Sequence, residues 1–188
     1  NFKSLIKANT KAIVCMHASN VFGCVFPIKE IGKLAHDNGI IFIVDAAQSA
    51  GVLDIDAGRD NIDILCTPGH KGLYAPMGSG FIAVGDGITL DTIIEGGTGS
   101  MSMILSQPKD LPDRLESGTL NNVAICGLAA GIDFVNSKKI DNIYNHEKSL
   151  MNMVYKEMSK NENVTLYTPD FKDAFSAPIL SFNFKDYP

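Results

Sequence analysis

"GIIFIVDAAQSAG", residues 39–51, carries the first decision about the fold. Ile40, Ile41, Phe42, Ile43 and Val44 are apolar without alternation, so a strand built from them asks for cover on both faces. Flanking helices give that cover to a parallel sheet, and the stretch therefore predicts an α/β architecture with a mostly parallel sheet. Gly39 reads as the stop of a preceding helix. That helix opens at Pro27, and Ile28, Ile31, Leu34 and Ala35 recur on one of its faces. Further out, residues 12–16 form a short apolar run and residues 62–66 a later one. Gly80 to Val84 follows too closely for a helical crossover, which makes it antiparallel to its neighbour.

From residue 121 the pattern changes. Residues 123–135 and 140–158 have helical periodicity, the second with Ile140, Ile143, Tyr144, Met151, Val154 and Met158 on one stripe. Val164 to Leu166 and then Ile179-Leu180 read as strands of a smaller unit. The implied division is residues 1–136 as part of a large domain and 137–188 as the start of a smaller α+β domain. An apolar stretch, "APILSFNF", lies close to the end of the sequence, and the chain reads as a central piece of a longer protein.

Composition limits the partners. With 188 residues, 45% of them hydrophobic, the chain can bury a core. A net charge of −5 and no cationic cluster argue against a nucleic-acid surface. No apolar run approaches the roughly 20 residues of a membrane-spanning helix. Cys15, Cys24, Cys66 and Cys126 are widely spaced with no CxxC pair, a pattern that suits free thiols in a reducing cytoplasm.

The polar residues at strand ends carry the chemistry. Asp45 follows the first apolar run, Gln48 comes three residues later, and Lys71 follows the strand at residues 62–66. Ligands of open α/β sheets bind beyond the carboxyl ends of the strands, so a carboxylate, an amide and an amine converge on one crevice. Taken singly, Asp45 also reads as a helix N-cap, Lys71 as a solvated lysine and His70 as a turn or core residue. Together they match the two needs of pyridoxal phosphate: an amine for its aldehyde and a carboxylate for its pyridine nitrogen. A P-loop is excluded, because Gly72 follows Lys71 and the glycine spacing is wrong.

Five ordered stretches carry a family resemblance: "HASNVFG" (17–23), "VDAAQSAG" (44–51), "GHKGLYAPMGSG" (69–80), "GGTGS" (96–100) and "RLESGTLNN" (114–122). The sequence resembles the class V aminotransferase and cysteine desulfurase family, enzymes of fold type I that use pyridoxal 5'-phosphate. The resemblance implies that Lys71 holds the cofactor and that Asp45 meets its pyridine nitrogen. It places Gln48 and Asn20 beside the ring hydroxyl oxygen, His70 at the phosphate, and Thr119 at the phosphate of a neighbouring subunit in a homodimer. The implied reaction is removal of sulfur from L-cysteine to give alanine, with a possible sulfur-acceptor protein. A class V aminotransferase, a selenocysteine lyase or a non-catalytic cofactor-binding domain are the alternatives. Arg114, Glu116 and His17 read as ordinary interface, surface and strand-end residues.

The sequence departs from the family pattern at Pro68, where relatives carry a phosphate-binding hydroxyl; Thr67 is the substitute at hand. Leu120 replaces a proline. None of the four cysteines matches the family's persulfide-forming one.

Overall fold

The computed structural model describes residues 2–101, 103–170, 175–185 and 187. Strands β1 (Ala12–Met16), β2 (Ile41–Asp45), β3 (Ile64–Pro68) and β4 (Gly80–Val84) form one sheet in that order. The first three are parallel and β4 runs antiparallel to β3, as the short connection requires. In register, Met16, Asp45 and Cys66 stand side by side. The carboxyl ends of β1 and β2 are therefore level, and β3 runs two residues past them to Pro68 before the lysine loop begins.

Helix α1 (Ile28–Asp37) buries Ile28, Ile31, Gly32 and Ala35 against the sheet. Its partners are Ile13, Phe42 and Val44, with Ile40 and Ile62 closing the cluster. Leu34, expected on the same face, is only half-buried. The opposite face of the sheet, carrying Val14 (66% exposed), Met16 and Ile82, is open. So β2 is apolar on both sides, as its composition demands, and this chain's own helix covers one of them.

Strand β2 runs one residue later than the apolar run, from Ile41 to Asp45, and two further strand readings change. Strand β3 starts at Ile64 rather than Ile62, because the Ile62 amide closes a turn onto the Ala57 carbonyl (2.8 Å); it runs on to Pro68, whose missing N–H is tolerated at a strand end. Ile179-Leu180 is not a strand. Residues just before it bond back to the first unit, through the Ala177 amide on the Gly23 carbonyl (2.8 Å) and a bridge between Cys24 and Ser176. The small hairpin instead pairs β5 (Val164–Leu166) with β6 (Phe182–Phe184).

Helices α2 (Asn122–Lys138) and α3 (Ile140–Met158) follow. The Asn121 side chain caps α2 by accepting from the Ala124 amide at 3.2 Å. A Cβ on Gly131 would overlap the Leu73 carbonyl oxygen, so α2 lies directly on the loop after β3. The expected stripe of α3 is only partly covered: Ile143 is buried and Val154 is exposed. Tyr144 donates its hydroxyl to the Ser176 carbonyl (3.1 Å), tying α3 to the segment that returns to β1. Among the described residues, no helix is long and apolar enough to cross a membrane.

The turn beneath α1 rests on an ion pair. Asp60 is 2% exposed and receives both Arg59 Nε and Nη2 at 2.8 Å. Those bonds hold its carboxyl below the usual carboxylate range. Because the folded pKa is lowered, the stabilisation is complete above the unfolded value near ~3.9 and fades as pH falls through the folded one. Asp60→Asn should destabilise the protein by about 1–3 kcal/mol at neutral pH, and urea titrations should show the gap closing in acid. A gap independent of pH would contradict this assignment.

Candidate active site

The lysine loop is fixed by its own backbone. Gly69 donates to the Ser79 carbonyl (2.8 Å), Ala75 to Gly69 (2.9 Å) and Tyr74 to Lys71 (2.9 Å). These bonds hold residues 69–79 as a compact turn with His70 and Lys71 exposed at its tip.

Two glycines lock this turn to the loop after β2. A Cβ on Gly51 would overlap the Gly72 carbonyl oxygen, and a Cβ on Gly72 would overlap the carbonyl oxygen of Ala50. Gly51 also has φ +81°, a left-handed conformation that side chains resist. The sequence suggests that glycines near Lys71 make room for a cofactor; at Gly72 the room is taken by the neighbouring loop's backbone. The consequence is that Gln48 and Lys71 share a wall.

Two cavities meet there. The larger, about 620 Å³, is lined by Asp45, Cys66, Thr67, Phe81 and Leu115 among others. The smaller, about 220 Å³, is lined by Gln48, Lys71, Gly72, Tyr74 and Glu147 among others. Ala47 lines both. Asn20 and His70 line neither, although both stand on loops leaving the same edge of the sheet. Thr119 lies in a separate cavity with Gly97, Thr98, Gly99 and Ser100. The Gly118 amide on the Gly96 carbonyl (3.0 Å) joins those two loops.

The donor set suits an aldehyde cofactor with a basic ring nitrogen. One Asp45 oxygen accepts from the Ala47 amide at 2.8 Å, which orients the carboxylate and leaves its other oxygen open to the cavity. The Lys71 side chain has no hydrogen bond or ion pair among the described residues, so its amine is available. Thr67 is buried, and its hydroxyl donates to the Pro68 carbonyl at 3.3 Å. Cys66 stands beside Asp45, and burial first, then that carboxylate, push its thiol up. A thiol raised in this way is a poor nucleophile.

Sequence reasoning missed Tyr74 and Glu147. Tyr74 has φ 55° and packs edge-on against Phe134 with ring centroids 5.0 Å apart. Glu147 arrives from α3, and only the folding of α3 over the lysine loop brings it there. Glu116, read as a surface charge, lines both the larger cavity and the Thr119 cavity. Arg114 is used structurally, with Nε donating to the Leu90 carbonyl at 2.6 Å. His17 is buried with Nδ1 unpartnered among the described residues, and burial lowers its pKa.

The chain belongs to the aminotransferase class-V family, whose model matches residues 1–188. It is 33% identical over 183 residues to a probable cysteine desulfurase of Methanothermobacter thermautotrophicus, an alignment covering 95% of this chain and 45% of that one. A probable cysteine desulfurase of Halalkalibacterium halodurans is 34% identical over 186 residues, covering 96% and 44%. The solved apo structure of a cysteine desulfurase from Thermococcus onnurineus superposes with a TM-score of 0.80 at 32% identity, over 94% of this chain and 45% of that one. A cysteine desulfurase of Escherichia coli superposes with a TM-score of 0.84 at 22% identity over 97% and 45%, which shows the shared fold. The sheet is thus an incomplete fold type I large domain. The chain spans a little under half the length of these relatives.

The glycine lock can be tested against a glycine that shares its conformation without its contact. Gly87 has the same φ of +81°, and a Cβ added there would meet nothing within 4 Å. Gly87→Ala should cost about 1–2 kcal/mol from the left-handed backbone alone. Gly51→Ala should cost at least about 1 kcal/mol more by chemical denaturation, because a second backbone must also move. Equal costs would mean that the two loops are not locked.

Proposed function

We propose that this chain is the central part of a pyridoxal-phosphate-dependent, cysteine desulfurase-like enzyme that removes sulfur from L-cysteine and leaves alanine. The observation that carries the reading is a lysine amine, unpaired among the described residues, held by a backbone-to-backbone lock in a cavity that borders the one of an oriented carboxylate. Similarity to cysteine desulfurases supports the choice of reaction.

In this reading Lys71 holds the cofactor and Asp45 faces its ring nitrogen. Gln48 and Asn20 attend the ring hydroxyl oxygen, and His70 and Thr67 attend the phosphate. When bound, the cofactor supplies an electron-accepting ring for the pair released at the substrate Cα. Asp45 favours the protonated ring nitrogen by its negative charge. Lys71 Nζ, once free, takes the Cα proton as general base. Sulfur leaves to a cysteine outside this chain and then to an acceptor protein, since the Cys66 thiol is raised by its surroundings.

The large-domain portion is residues 1–136 and the smaller domain begins at 137, next to the turn between α2 and α3. The protein works as a homodimer in which Thr119 serves the partner's phosphate site; that Thr119 lines a cavity other than that of Lys71 in this chain supports action across the two-fold axis. Four free cysteines fit a cytoplasmic location.

Full-length protein supplied with L-cysteine should release alanine, and Lys71→Ala should lower that rate by about 10³-fold or more. The isolated 188-residue chain should lack an enzyme-like rate, because positioning groups can be worth about 7–11 kcal/mol of barrier and part of them lies elsewhere. Amino-group transfer to a keto acid without sulfur release would favour an aminotransferase instead.

A further inference from the structure

Glu147 is the one acidic side chain among those lining the small cavity with Lys71. It is half-buried and, like that of Lys71, its side chain makes no hydrogen bond or ion pair among the described residues. The next residue on α3, Lys148, is engaged elsewhere, with its ammonium 5.7 Å from the centroid of the Tyr144 ring. A carboxylate drawn partly out of water without a donor is unfavourable unless a cation reaches it. Within that cavity the available cation is Lys71, whose four-carbon stem is flexible.

We propose that Glu147 is a positioning residue, the counter-charge that receives the Lys71 ammonium in the cavity the two side chains line together whenever Nζ is not engaged with cofactor or substrate. Ala47 lines both cavities, so the cavity of Lys71 and Glu147 borders the one lined by Asp45. Asp45 comes from β2. Glu147 comes from α3. The lysine would thus alternate between a reacting position and a parked, charged one, and the second unit of the fold would supply the parking site. The proposal deepens the reading of Lys71 as the reactive lysine and rests on it for its consequence.

The surroundings of Glu147 agree. Burial pushes its carboxyl up and the neighbouring His146 pulls it slightly back. Tyr74 faces it across the cavity, and its phenol is pushed up by burial and then by Glu147 itself. Both shifts describe a site that wants a positive charge.

Competitive amine labelling of the cofactor-free full-length protein, read at Lys71 by mass spectrometry, tests the pairing. In Glu147→Gln, Lys71 should label about three- to tenfold faster at a fixed pH near neutrality, because an ammonium that has lost its counter-charge gives up its proton more readily. Lys33, paired with Asp37 on α1, is the internal reference and should not change. The reciprocal measurement follows the Glu147 carboxyl by carbon NMR: in Lys71→Met it should titrate higher than in the parent protein. Unchanged Lys71 labelling in a folded Glu147→Gln protein overturns the proposal. Should that variant not fold, an unchanged Glu147 titration in Lys71→Met overturns it equally. Coupling in both arms, with the cofactor mapping to another lysine, would uphold the ion pair and sink the functional reading.

Discussion

The contact between the Gly51 and Gly72 backbones is the constraint on which the rest of the site depends. Two loops leave neighbouring strands, one bearing Asp45 and Gln48, the other His70 and Lys71. Nothing in a parallel sheet alone obliges such loops to touch. They do so because neither glycine has a side chain to hold them apart: a Cβ on either one would fall on a carbonyl oxygen of the other loop. A long flexible amine is thereby given a fixed root, and its freedom is confined to the side chain. The fixed root of Lys71 comes here from the absence of atoms.

The sheet and α2 make that contact possible from opposite directions. Met16, Asp45 and Cys66 are aligned by the parallel register, so the loops after β2 and β3 leave the same edge of the sheet within two residues of one line. Behind the lysine loop, α2 presents small residues: Gly127 approaches Pro76 and Gly131 approaches Leu73. A helix with bulkier residues at these two positions would stand further off and leave the loop unsupported. The apolar core under α1 supplies stability, while the loop geometry is decided by close backbone approach on the far side.

Much of this is legible in the sequence because it depends on local pattern. The uninterrupted run of residues 40–44 announces a buried strand, and the short link between residues 66 and 80 forces the antiparallel turn. Asp45 is found because it directly follows the apolar run and closes β2, and Lys71 because it sits in a glycine-rich turn just past β3. Glu147 and Tyr74 are not legible. Glu147 lies on a charged helix where any of several acids reads as solvated, and its burial follows from how α3 packs, a long-range fact. Ile179-Leu180 misleads for a related reason: the residues are apolar enough for a strand, yet the preceding segment spends its backbone bonds on the Gly23 loop. Gly72 announces that room is needed beside Lys71, but only the folded chain shows that another backbone fills it.

Of the two carboxylates near the lysine loop, Glu147 lines the cavity of Lys71 and Asp45 lines the one bordering it. Asp45 is oriented by the Ala47 amide and Glu147 is left without a donor, a difference that suits one to a permanent partner and the other to a visiting one. Both roles depend on Lys71 being the residue that bonds the cofactor. Borohydride reduction of the full-length protein with pyridoxal phosphate, followed by peptide mass mapping, measures this directly. The pyridoxyl mass is expected on the peptide containing Lys71; the same mass on any other lysine, with Lys71 unmodified, would contradict the assignment.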